Sequence, residues 1–95
     1  MSRIVIKIGS NILTDAAGML NQKRIHSIAE DVSDARDAGH EIVLVSSGAV
    51  AAGMKKLGLK EKPRDIRLKQ AAAAVGQSSL MWAYEKSFEA FRKKV

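Results

Sequence analysis

The stretch Ile42-Val43-Leu44-Val45-Ser46-Ser47-Gly48-Ala49-Val50-Ala51-Ala52-Gly53 leaves few ways to fold. A short β-branched run halts at two serines and a glycine, then resumes as small helix-favouring residues. That pattern describes a buried strand, a tight turn and a helix N-terminus. Backbone N–H groups and the positive end of a helix dipole converge at such a junction, which suits an anion. A second strand–glycine junction, Ile4-Val5-Ile6-Lys7-Ile8-Gly9-Ser10-Asn11, carries a lysine just before its turn.

The segments between these junctions set the topology. A strand is expected over about Arg3 to Ile8, followed by a polar loop from Gly9 to Leu20 with Gly18 at a turn. Asn21 is placed to cap a helix in which Ile25, Ile28, Ala29, Val32 and Ala35 make one apolar stripe. Glu30, Asp31, Asp34 and Asp37 fall largely on its other side, and Gly39 ends it. The strand over about Glu41 to Ser46 follows at once. The resulting β-α-β unit calls for parallel strands with a right-handed crossover. A second helix should run from near Gly48 to Lys56 or Leu57, stopping at Gly58. After a basic loop around Pro63, a long helix is expected from about Arg64 to Lys93. Ala71 to Ala74 favour that helix, and Leu80, Tyr84, Phe88 and Phe91 form its apolar seam. Gly76 interrupts it at a cost of about 1 kcal/mol relative to Ala, which close helix packing or a local break would explain.

Only two strands are readable, whereas parallel sheets are usually larger and covered on both faces. Val43 and Val45 would point one way and Ile42 and Leu44 the other, so both faces ask for a partner. Residues 1–95 therefore read as the N-terminal part of one larger α/β domain, with no internal boundary. At 46% hydrophobic residues the composition is globular, and no apolar run approaches the roughly 18–20 residues that span a bilayer. The N-terminus lacks the pattern of a signal peptide, and cysteine is absent, so a reducing, cytoplasmic home is the simplest expectation. The net charge of +6 is concentrated in Lys55, Lys56, Lys60, Lys62, Arg64, Arg67 and Lys69, with Arg92, Lys93 and Lys94 near the chain end. Nucleic-acid binding would add stacking aromatics to such a surface. Trp82, Tyr84, Phe88 and Phe91 instead follow a helical pattern elsewhere, so a solvated loop or attraction of an anionic nucleotide is the better account.

Several motifs are missing. In Lys7-Ile8-Gly9-Ser10 the lysine precedes the glycine, unlike a Walker A loop, and no G-x-G-x-x-G follows either strand. Ser46-Ser47-Gly48 lacks the leading glycine of a nucleophile elbow. His26 and His40 have no metal-ligand spacing and read as surface or structural residues, so no metal site is assigned. Lys7 stands out, because an ionisable side chain in a buried strand is costly unless it is paired or emerges at the strand end. From there it could reach the carboxyl edge, where open α/β sheets bind ligands. Gly9 would let the backbone approach a phosphate, and Ser10 would add a hydroxyl. The plainer alternatives are an edge-strand lysine facing solvent and, for Ser47-Gly48-Ala49, a mere helix cap.

Three segments carry a resemblance to a known family: Val5 to Ser10, Gly39 to Gly53, and Lys69-Gln70-Ala71-Ala72-Ala73-Ala74-Val75-Gly76-Gln77. Together they are similar to the glutamate 5-kinase family of the amino-acid kinase superfamily. The first segment is superfamily-wide, whereas the S-G-A-[IV]-A-A-G and K-Q-x-x-A-A-V-G-Q patterns are far more specific. The similarity spans essentially the whole chain but about the first third of such an enzyme. Ser46 departs slightly, since the family often has threonine there.

The resemblance implies a three-layer α/β/α fold, here as a β-α-β-α-α portion. It also implies phosphorylation of the L-glutamate side-chain carboxylate, using ATP and Mg2+, as the first step of proline synthesis. Dimer-based homo-oligomers and feedback inhibition by proline come with it. By the same resemblance Lys7 contacts the transferring phosphate, Gly9 and Ser10 form the phosphate-side loop, and Ser47, Gly48 and Ala49 hold glutamate. The chemistry agrees, since a carboxylate is already an anionic nucleophile at neutral pH and needs no general base. The isolated chain, holding half a site, is expected to be inactive. Competing expectations are a superfamily kinase for another acceptor, the start of a bifunctional enzyme with a following reductase domain, and a non-catalytic anion-binding or assembly module.

Overall fold

The computed structural model describes residues 2–17, 19–61 and 63–95, with the side chain of Ser10 left aside. The elements are β1 (Arg3–Ile8), α1 (Ser10–Leu13), α2 (Gln22–Asp37), β2 (Glu41–Ser46), α3 (Ala49–Lys56) and α4 (Ile66–Glu89). β1 and β2 pair in parallel, from Arg3 opposite Glu41 to Ile8 opposite Ser46. Alternation along the strands divides the sheet into two unlike faces. Ile6, Ile8, Ile42 and Leu44 join a core built with Leu13, Ile25, Ala29, Val32, Leu80, Ala83, Tyr84 and Phe88. The opposite face is open among the described residues, with Val5 64%, Val43 44% and Val45 44% exposed. The fold here thus has two layers of the three the resemblance implies.

Helix boundaries follow local chemistry. Asn21 caps α2, its side chain accepting from the Arg24 amide at 3.1 Å. Asp65 caps α4 by accepting from the Arg67 amide at 2.8 Å, which starts that helix two residues later than the alanine-rich pattern suggests. α4 ends at Glu89, and Phe91 lies beyond it, its ring centroid 5.0 Å from that of His26.

One expectation needs correction. The segment Gly9 to Leu20 is not merely a polar loop. It begins with the short helix α1, in which Leu13 is fully buried, and Thr14 bridges antiparallel to Leu20. The Asp15 carboxylate organises the return by accepting from the amides of Ala17 and Met19. Burying Leu13 against α2 outweighs the polarity of its neighbours. The expected turn at Gly18 lies outside the described residues.

α3 packs across α4 at unusually short range. A Cβ on Gly53 would overlap the Ala72 backbone, and one on Gly76 would overlap the Ala49 carbonyl and come within 2.6 Å of the Gly53 nitrogen. Close packing, rather than a break, therefore explains the glycine in the middle of α4.

Candidate functional site

The register of the sheet brings the two junctions together. Ile8 and Ser46 are partners at the carboxyl edge, and the Ser47 amide donates to the Ile8 carbonyl at 2.9 Å. Gly9 and Ser47 therefore leave neighbouring strands at one level, at the edge where parallel sheets take ligands.

At the β2 end the chain reverses through Gly48, whose φ of +102° is a conformation that residues with a side chain rarely adopt. Gly48 is the N-cap of α3, and its carbonyl accepts from the Ala52 amide at 2.9 Å. Among the described residues no side chain caps this helix, so its first amides lack both an intrahelical acceptor and a side-chain one. The Ser47 hydroxyl is exposed and has no partner among the described residues. The plain capping role for that hydroxyl is thus not the one adopted, and it stays free to meet a ligand.

At the β1 end Gly9 is exposed, and nothing lies within 4 Å of where its Cβ would be. No packing demand explains a glycine there, whereas an approaching group would find its backbone unobstructed. Ser10 begins α1. Lys7 lies opposite Val45 in the ladder, on the open face beside Val5. Its ammonium has no hydrogen bond or ion pair among the described residues. The flexible four-carbon stem leaves it a movable charge one residue short of the edge.

One pairing at this edge escaped sequence reasoning. Ser46 is half-buried, and its hydroxyl lies 3.0 Å from that of Tyr84 on α4. Tyr84 is 4% exposed, and burial raises its phenol above the ordinary value of 10.0, with the Ser46 hydrogen bond opposing more weakly. The sequence held one clue: a tyrosine in an otherwise aliphatic and phenylalanine seam usually has a polar partner.

Other candidates lie elsewhere. His26 packs on Phe91, and His40 sits before β2 with its backbone amide donating to Ala35. Among the described residues no three His, Asp or Glu side chains gather where they could hold a metal ion. Tyr84 and Phe88 belong to the core, so they offer no stacking platform to the basic segment. No helix among the described residues is long and apolar enough to cross a membrane.

Two neighbouring turns with open backbone, a free hydroxyl and a mobile cation can hold two anions near each other. Residues 2–95 match the amino acid kinase family. The chain is 55% identical over its 95 residues to the glutamate 5-kinase of Geobacter sulfurreducens, covering 26% of that protein. It is 53% identical over 93 residues to the glutamate 5-kinase of Teredinibacter turnerae, covering 25% of it. To that of Clostridium acetobutylicum it is 51% identical over 88 residues, covering 33%. The chain thus spans about a quarter to a third of the length of these relatives.

Proposed function

The chain belongs to the amino acid kinase family, and we propose that it forms the acceptor-holding and phosphate-side part of a glutamate 5-kinase. The reaction is ATP-dependent phosphorylation of the L-glutamate side-chain carboxylate to L-glutamyl 5-phosphate, which opens proline synthesis. One observation carries this reading: the Ile8–Ser46 register sets both junctions side by side, with the Ser47 hydroxyl uncommitted. Ser47, with the backbone of Gly48 and Ala49, holds glutamate. Gly9 and Ser10 line the phosphate side, and Lys7 meets the transferring group.

The chemistry asks for little else from these residues. At neutral pH the acceptor carboxylate is ionised, so its oxygen attacks the γ-phosphorus without first losing a proton. The bond from that phosphorus to the β–γ bridging oxygen breaks, and ADP leaves with the electron pair. Two anions must be brought into line against their repulsion, and charge spreads over the transferring oxygens. A lysine ammonium beside both turns offsets that charge as it develops. Magnesium would accompany the nucleotide. No three His, Asp or Glu side chains among the described residues gather where they could hold it.

Residues 1–95 form part of a single domain in this reading, completed by further chain. A cytoplasmic location, dimer-based oligomers and inhibition by proline belong to the same proposal. The identity to glutamate 5-kinases over the whole 95 residues favours glutamate over another acceptor. Lys7→Ala in the full-length enzyme tests the site: kcat should fall by about 100-fold or more, with glutamate KM little changed. A kcat/KM within twofold of wild type would remove Lys7 from the mechanism. Glutamate left unphosphorylated while another acceptor reacts would overturn the substrate.

A further inference from the structure

α4 meets the acceptor turn at two points. On the covered face, the Ser46 hydroxyl lies 3.0 Å from the Tyr84 hydroxyl and donates to the Ser47 carbonyl at 3.3 Å. Either hydroxyl can donate across that contact. Burial favours the neutral phenol, so the contact stays a hydrogen bond between two hydroxyls. Eight residues earlier on the same helix, about 12 Å along its axis, Gly76 backs the carbonyl of Ala49 with no room for a side chain. Ser46 and Ala49 bracket the turn, so α4 grips both its ends.

We propose that Tyr84 and Gly76 are positioning residues that set where the Ser47 hydroxyl and the 47–49 backbone sit, and so govern affinity for the carboxylate acceptor without contacting it. The inference rests on reading residues 47–49 as the acceptor turn. Neither residue lies at the β1 junction, so the nucleotide should be largely indifferent to both. Tyr84→Phe removes one oxygen and leaves the ring in the core. Gly76→Ala inserts a methyl group against backbone, which yields only if α3 moves.

The test is steady-state kinetics of the full-length enzyme with glutamate and ATP varied separately. Tyr84→Phe should raise glutamate KM about three- to tenfold, the range expected for one lost hydrogen bond, with ATP KM and kcat within about twofold. Ser46→Ala should do the same, the double variant should go no further, and Ser46→Thr should recover most of the affinity lost in Ser46→Ala. Gly76→Ala should move glutamate KM further in the same direction. If Gly76→Ala does not fold, Tyr84→Phe and the double variant decide alone. An active wild type with unchanged glutamate KM in Tyr84→Phe, an equal rise in both KM values, or additive effects in the double variant overturns the positioning role. A wild type inert toward glutamate instead sinks the kinase reading. The positioning role is then judged by amide hydrogen exchange: Tyr84→Phe should speed exchange at Ser47–Val50 about tenfold relative to β1, and unchanged exchange overturns it.

Discussion

The β2–α3 and β1–α1 junctions lie side by side at one sheet edge, yet different things stand behind them. The β2–α3 turn is held by its αL glycine, by Tyr84 on Ser46, and by Gly76 against Ala49. Its helix continues for eight residues across α4. The β1–α1 turn leads into four helical residues anchored by Leu13, and around Gly9 there is open space. Under the proposed function, the difference would suit two tasks. An acceptor carboxylate gains affinity from a preorganised cradle, whereas a group that transfers needs a cation and a loop able to follow it.

The largest expected effect attacks the rigid side. Gly76→Val should lower stability by about 3 kcal/mol or more, because its branches meet the Ala49 carbonyl rather than a movable side chain. Denaturant unfolding of the full-length protein reads this directly, and a loss under about 1 kcal/mol would show that the crossing is soft. Asn21→Ala should cost about 1 kcal/mol through the lost cap on α2. Its glutamate KM should stay at the wild-type value, which separates general weakening from movement of the turn.

A smaller effect depends on pH. The folded state holds the Tyr84 phenol above its ordinary value of 10.0, so the unfolded chain releases that proton first as pH rises. Tyr84 therefore supports folding fully below pH 10, and that support is lost as pH climbs through the folded value. Unfolding midpoints between about pH 8 and 11 should fall less steeply in Tyr84→Phe than in wild type. Parallel slopes would mean that Tyr84 is not buried as described. Smallest of all, Gly9→Ala should change stability by no more than about 0.5 kcal/mol, because a methyl group there meets nothing. Its effect should instead appear in kcat. A stability loss like that of Gly76→Val would erase the contrast between the junctions.

Much of this architecture was legible in the residues because it is decided locally. The apolar runs marked both strands, and Asn21 announced the start of α2. Gly76 could be suspected of close packing, although only the fold names Ala49 as what it touches. What escaped is decided at a distance. Four residues of α1 are too few for a helical period, and Leu13 matters through its contacts with α2. The Tyr84–Ser46 pair joins residues 38 apart, and periodicity could show only that Tyr84 faces inward. The motif residues at both junctions were readable as chemistry, but their adjacency came from the register of Ile8 with Ser46.

The bare face of the sheet bears on how these residues would behave in isolation. Val5, Val43 and Val45 stand exposed on a two-stranded sheet whose outer edges are unpaired among the described residues. Surfaces of that kind recruit other chains. The alternation of exposed and covered valines and isoleucines that shapes the sheet also decides which of its faces is open to such contacts.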